Sequence, residues 1–471
     1  MDSRLRLALA VLLAAVLLAI GAGSARAAGT EVGVTDDRLL LVGGADPDRV
    51  VAEWRANGVD VVRIFALWSQ IAPSRQPTGF DGADQHAPGY VWGRLDEAVR
   101  RVRGAGMKVM LTVTGPGPVW SSRSPGRGNP RYKPDPRRYA AFATAVASRY
   151  GAAVDRYILW NEPNLPSWLQ PQASCAHGRC TPVAPHLYRG LVRAAYPAIK
   201  AADPGAEVLI GAMSSRGLDL KARNSTLRPL LFLRALGCVS SRFGRLRSGD
   251  CKGFKPATAD GFAFHPHGTL FSPDRAYRNR DDVNLASLGR LESTLDRLQR
   301  GGRLRATTRR FNLFVDEYGY QTRPPDRTAG VSLATQDRWL QRAAYRAWRD
   351  PRVRLLTQYQ WYDEPLRRAG SAFAGWQSGM RFLSGRPKPA LAHFDTPMQV
   401  DVARSRLWGQ ARPGDAQTVT VERRSKGAKR YVAIARLRTD RRGYWTLKRR
   451  LSRGARYRFR TAAATSASFR R

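Results

Sequence analysis

The sequence predicts an α/β fold: a (β/α)8 barrel of the TIM type followed by a small C-terminal β-domain. Eight short, near-continuous apolar segments alternate with helical ones over about 365 residues, the pattern of strands buried on both faces. Eight units over that length suit a closed barrel better than an open doubly wound sheet. No glycine-rich dinucleotide fingerprint follows the first strand, which argues against a nucleotide-binding sheet, and no cofactor is expected.

Taken in order, Glu31 to Val34 is the first strand, and Pro47 to Asn57 is a helix with Val50, Val51 and Trp54 inward. Val59 to Ala66 is strand-like. Tyr90 to Gly104 reads as a helix ended by glycine, and Lys108 to Thr114 as a strand. Asp135 to Tyr150 spaces Tyr139, Phe142, Val146 and Tyr150 along one helical face before the strand Val154 to Trp160. Helix Pro185 to Ala201 leads to strand Glu207 to Ala212, and helix Leu227 to Leu236 to strand Gly261 to Phe264. Asn284 to Arg300 sets Leu285, Leu288, Leu291, Leu295 and Leu298 at helical spacing ahead of strand Phe311 to Val315. Ala334 to Arg349, strand Val353 to Gln360 and a short helix from Pro389 to Phe394 close the series. Beyond Met398, three antiparallel strands are expected at Thr418 to Val421, Arg430 to Arg436 and Tyr444 to Leu447.

The first residues carry Arg4 and Arg6, an apolar run from Leu7 to Ile20, and Ala25-Arg26-Ala27, the build of a secretory signal peptide. The run is shorter than the ~20 residues a spanning helix needs, so a secreted chain without a transmembrane anchor is expected. The expected divisions are therefore a leader (1–27), the barrel (28–396) and a basic β-rich domain (397–471). The formal net charge is +42. Between Gln399 and Arg471 alone, 21 Lys or Arg residues face four acids. Such a charge draws anionic polymers, cell-wall polymers among them, while no nucleic-acid module accompanies it and no specific nucleic-acid partner is expected. Four cysteines fall in two local pairs, Cys175 with Cys180 and Cys238 with Cys251, which an oxidising destination favours as disulfides.

Two carboxylates stand at strand exits. Glu162 lies in Trp160-Asn161-Glu162-Pro163, just past Tyr157-Ile158-Leu159, and Glu317 follows Phe314-Val315-Asp316. In a barrel the loops at the C-terminal strand ends surround an open mouth, where chemistry is done. Asn161 offers an amide that can both donate and accept hydrogen bonds, Pro163 fixes the exit of the chain, and Trp160 supplies a ring. Arg63 stands inside Val61-Val62-Arg63-Ile64-Phe65, where a charge is costly unless paired, and it is read as the partner of Glu317.

With Trp-Asn-Glu-Pro-Asn at a fourth strand and Asp-Glu-Tyr-Gly at a seventh, residues 31 to 395 resemble clan A of the glycoside hydrolases, especially families 5 and 39. The resemblance implies a retaining O-glycosyl hydrolase with Glu162 as acid/base, Glu317 as nucleophile and Asn161 against the 2-hydroxyl. It also implies Arg63 beside the nucleophile, His265 near the nucleophile or a sugar hydroxyl, and Trp361 as an aromatic platform. Trp68, Trp120 and Tyr318 are expected to extend the cleft, with Tyr318 hydrogen-bonded to Glu317. Trp168 and the Cys175–Cys180 loop are expected to wall one side, whereas Trp54 and Trp92 read as core. His265 and His267 flank Pro266 with no third ligand in view, so no metal is expected.

Aromatics spread over several loops favour endo-action on a polysaccharide. The long basic stretches Ser122 to Arg131 and Phe271 to Arg280, with Arg275, Arg278 and Arg280, leave the sugar and linkage open. Two alternatives remain: a transglycosylase using the same residues, or a non-catalytic protein that binds a carbohydrate or anionic polymer.

Overall fold

Apolar strands flanked by capped helices dictate the architecture. The computed structural model describes residues 29–365 and 375–471. The expected leader lies outside the described residues. Eight parallel strands close into a barrel in sequential order: β1 (Glu31–Thr35), β2 (Val61–Leu67), β3 (Lys108–Thr114), β4 (Arg156–Leu159), β5 (Glu207–Ser214), β6 (Gly261–His265), β7 (Leu313–Tyr318) and β8 (Val353–Tyr359), with β8 returning to β1. All eight expected strands are present, displaced by a few residues at their ends.

The intervening helices are α1 (Pro47–Ala56), α2 (Gly93–Gly104), α3 (Pro136–Tyr150), α4 (Ala184–Ala202), α5 (Pro229–Leu236), α6 (Leu288–Arg300) and α7 (Leu333–Arg349). Local chemistry starts several of them. Asp46 and Asp135 accept backbone N–H bonds at the first turns of α1 and α3, each with proline at the first helical position. In α6, Leu288, Leu291, Leu295 and Leu298 are buried as one stripe, the face its spacing prescribes. The last expected helix is a 3-10 turn, Pro389–His393.

The floor of the barrel interior is apolar, with Val61, Met110, Ile158, Leu209, Phe314 and Leu355 in one cluster. Because side chains alternate along a strand, two residues past Val61 the same inward column carries Arg63, and two past Met110 it carries Thr112. Polarity therefore enters the interior one layer above the floor, toward the C-terminal mouth.

Past the barrel the chain forms seven strands: β9 (Met398–Asp401), β10 (Arg406–Gln410), β11 (Thr418–Arg424), β12 (Val432–Arg438), β13 (Tyr444–Lys448), β14 (Arg456–Arg460) and β15 (Phe469–Arg470). They make a three-stranded sheet, β9-β10-β13, and a four-stranded sheet, β12-β11-β14-β15. The sequence reading found β11, β12 and β13 and missed the other four. Trp408 and Tyr444 pack with Tyr345 of α7, and the Tyr345 hydroxyl donates to Asp401 at 2.5 Å. The two disulfides, Cys175–Cys180 across a hairpin and Cys238–Cys251 behind α5, are formed. Among the described residues no helix is long and apolar enough to cross a membrane.

Candidate active site

Two irregularities at the barrel mouth present the carboxylates. The pairing of β7 with β8 slips between Val315 and Tyr318, and Asp316 and Glu317 lie in that slip. Both reach Arg63: Nη1 donates to Glu317 Oε1 at 2.5 Å, and Nη2 lies 3.3 Å from Asp316 Oδ2. At the exit of β4, Trp160 and Glu162 have φ of 70° and 38°, a left-handed conformation that residues with a side chain seldom hold. The Glu162 N–H donates to Ala212 O at 2.9 Å, at a bulge in β5. Asn164 holds the same turn, its Oδ1 accepting from Ser214 N at 3.0 Å and its Nδ2 donating to Leu227 O at 2.9 Å.

Arg63 is fully buried and its fork is filled. Besides the two carboxylates, Nη2 donates to Asn161 Oδ1 at 2.8 Å, Nε donates to Thr112 Oγ1 at 2.8 Å, and the guanidinium stacks 4.6 Å above the Phe65 ring. His265, also fully buried, links the carboxylates from the far side. Its Nε2 lies 3.1 Å from Asp316 Oδ2, while Nδ1 lies 3.1 Å from Glu162 Oε1 and 3.5 Å from Glu317 Oε2. Two oxygens at those distances from one nitrogen are at most about 6.6 Å apart, at the lower edge of the ~6.5–9.5 Å that inverting carboxyl pairs require.

Charge follows geometry. Burial raises the Glu317 carboxyl, but His265 and Arg63 outweigh it and hold the group down at about 2. Burial lowers His265, but Glu317 and Asp316 outweigh that and raise it to about 10, so the imidazole is a cation at neutral pH. At the exit of β1, burial pushes Asp36 up to about 7 and Asp37 up to about 6. They serve as backbone clamps: Asp37 Oδ2 accepts from Phe65 N, and Asp36 Oδ2 accepts from Trp361 N and Tyr362 N.

Above these groups opens a cleft of about 700 Å³. Asn161, Glu162, His267 and Glu317 line its base, and Phe65, Trp168, Tyr359 and Trp376 its walls. Thus Glu162, Glu317, Asn161, Arg63 and His265 meet, and Trp168 walls the cleft as expected. Trp54 and Trp92 are core, also as expected.

The remaining aromatic expectations need correction. Trp361 is fully buried, packs edge-on against Phe394 and does not line the cleft. Trp68 is buried against Phe142 and Tyr139, and Trp120 stands edge-on to Trp68 with its Nε1 bonded to Pro73 O. Tyr318 donates or accepts at Tyr320 Oη (2.8 Å) rather than at Glu317, and lies behind His267. Arg275, Arg278 and Arg280 and the Cys175–Cys180 hairpin are not part of the cleft lining.

The sequence reading passed over Asp316 and Thr112, which hold Arg63, and Tyr359, Trp376, Glu364 and Arg216, which line the cleft. Only Asp316 carried a signal, since an arginine in an apolar strand calls for buried acids around it.

No family model matches the sequence, and no curated protein matches it. Solved structures do. A family 39 glycoside hydrolase from the gut symbiont Bacteroides cellulosilyticus WH2 superposes with a TM-score of 0.54 at 15% identity, over 89% of this chain and 81% of that one. A GH5_18 protein from Streptomyces cattleya, in complex with Manβ1-4GlcNAc, aligns at TM-score 0.48 and 16% identity over 77% of this chain and 78% of that one. GH10 from Paenibacillus barcinonensis aligns at TM-score 0.46 and 14% identity, covering 78% and 94%. At such identities the likeness is one of fold, and the family 39 structure carries it.

Proposed function

We propose that the chain is a secreted retaining glycoside hydrolase that cleaves a polysaccharide by double displacement, with Glu162 as acid/base and Glu317 as nucleophile. The observation that carries the reading is the pair of carboxylates at the barrel mouth, both within reach of His265 Nδ1, with Arg63 on Glu317. Arg63 and His265 keep Glu317 ionised and aimed at an anomeric carbon. Glu162, carrying the proton, gives it to the leaving oxygen as Glu317 attacks. Water deprotonated by the ionised Glu162 then cleaves the glycosyl ester, with net retention. Asn161, whose Oδ1 is taken by Arg63, turns its Nδ2 to a substrate hydroxyl.

An open cleft walled by Phe65, Trp168, Tyr359 and Trp376 supports action within a chain, since ring faces stack on sugar C–H groups while polar groups select hydroxyls. The net charge of +42, and Arg216 in the cleft wall, support an anionic or cell-wall-associated polymer as substrate. The leader-like N-terminus and two disulfides support secretion.

The test is release of new reducing ends from neutral, uronate-containing and cell-wall polysaccharides by the mature chain, Glu162→Ala and Glu317→Ala. Activity confined to the unsubstituted chain is expected; undiminished activity in Glu317→Ala overturns the assignment.

A further inference from the structure

The outer sheet of the C-terminal region has one apolar face and one cationic face. Val419, Val421, Tyr457 and Phe459 turn inward to a small core. Cross-strand partners point to the same side of a sheet, so the pairings of β11 define the opposite face. Thr420 is flanked by Arg436 and Arg460, Glu422 by Arg458, and Arg424 by Arg456, which in turn pairs with Arg470. Arg438 pairs with Thr418 at the edge. Seven arginines and one glutamate thus share a face about four strands wide, with neighbours ~4.8 Å apart across strands and ~7 Å along them.

Glu422 balances only two of them, accepting from Arg458 Nε at 2.7 Å and Arg460 Nε at 2.9 Å. Arg436, Arg456 and Arg470 are exposed and make no ion pair among the described residues. The row Arg424–Arg456–Arg470 sets like charges directly opposite one another, an arrangement that destabilises a sheet. An anion laid across the row relieves that repulsion, and guanidinium forks match carboxylate oxygens two by two.

We infer that the open face of the β12-β11-β14-β15 sheet is a binding surface for an anionic polysaccharide bearing carboxylates, separate from the barrel cleft. The polysaccharide class rests on the carbohydrate reading of the cleft. The face itself argues against single-stranded nucleic acid, which needs exposed rings for base stacking. Its ring, Tyr431, is half-buried, covered by Arg458 at 4.0 Å and bonded to Ser468.

The test compares the full chain with Arg436→Gln/Arg456→Gln/Arg470→Gln, and with a control that removes equal charge from the barrel, Arg300→Gln/Arg305→Gln/Arg309→Gln. Affinity for polygalacturonate is measured by affinity electrophoresis, with a DNA duplex, single-stranded DNA and phosphatidylglycerol vesicles as other probes. The sheet variant is expected to bind polygalacturonate at least tenfold more weakly, and the control less than twofold. Its thermal midpoint without polymer should equal or exceed that of the parent, because no paired group is removed, which separates lost binding from lost folding. Arg→Lys at the same three positions should restore part of the affinity. Equal losses in sheet variant and control, no loss in either, or tighter binding to DNA or vesicles than to polygalacturonate would each overturn the inference. Affinity electrophoresis reads binding and not product, so failure of the hydrolase reading would leave this comparison of sheet variant and control standing.

Discussion

At the residue scale, Arg63 and His265 hold Glu317 from two sides. Arg63→Lys keeps the charge but not the planar fork that meets Glu317, Asn161 and Asp316 together. It is expected to lower kcat/KM by roughly 100-fold or more, the scale of loss from an ångström of misplacement. The acid limb of the pH profile should also move upward, as Glu317 loses part of the field that holds it near 2. A steady-state pH series checks both. Stability carries the same signature. Glu317, lowered from 4.5 to about 2, contributes stability that is present above pH 4.5 and is lost as the pH falls through 2. His265, raised from 6.5 to about 10, contributes stability present below pH 6.5 and lost as the pH rises through 10. Thermal midpoints of the parent and Glu317→Gln should therefore converge as the pH drops from 4.5 toward 2. A constant gap would contradict the electrostatic reading.

At the scale of elements, the mouth is built from strand slips and tight approaches. A Cβ on Gly319 would sit 2.1 Å from Tyr359 O, so the glycine of Asp-Glu-Tyr-Gly lets β8 close against β7 just past the slip that carries Glu317. Gly319→Ala is expected to keep the barrel fold by circular dichroism while lowering kcat, because the strand end must shift. Unchanged kcat would detach this contact from the site. The elements also show what a sequence can reveal. Strands buried on both faces are continuous apolar runs, which is why all eight barrel strands were legible. Strand β14, Arg456-Tyr457-Arg458-Phe459-Arg460, escaped because three of its five residues are arginine, although its period-2 alternation is that of a half-buried strand. Of the site, Arg63, Asn161, Glu162, His265 and Glu317 were legible, while Asp316 was hidden at the end of an apolar run. Rings at the strand exits were not legible, because sequence does not state which side of a strand exit a side chain takes, whereas Trp168 in its loop and the core rings Trp54 and Trp92 were. Trp361 turned to Phe394, while Tyr359, two residues earlier, reaches the cleft.

At the scale of the whole molecule, the C-terminal sheets are seated on the barrel as well as exposed to solvent. Trp408 is fully buried among Tyr345, Trp348 and Tyr444, and the Tyr444 hydroxyl donates to Thr30 O beside β1. Trp408→Ala is expected to cost about 3–5 kcal/mol, the usual loss for a large buried aromatic, and denaturant titration measures it. A loss below about 1 kcal/mol would mean that the two parts fold with little mutual support. The division of labour proposed for them sets a catalytic cleft on the barrel and a cationic sheet beyond it.

Double displacement at the paired carboxylates fixes the stereochemistry of the product. Its most direct test is the anomeric configuration of the first-formed reducing end, followed by proton NMR on whichever polysaccharide the mature chain cleaves. Retention, lost together with activity in Glu317→Ala, is the expected result. Inversion at the first time point would contradict the account, because it would make Glu317 a base acting through water rather than the group that attacks.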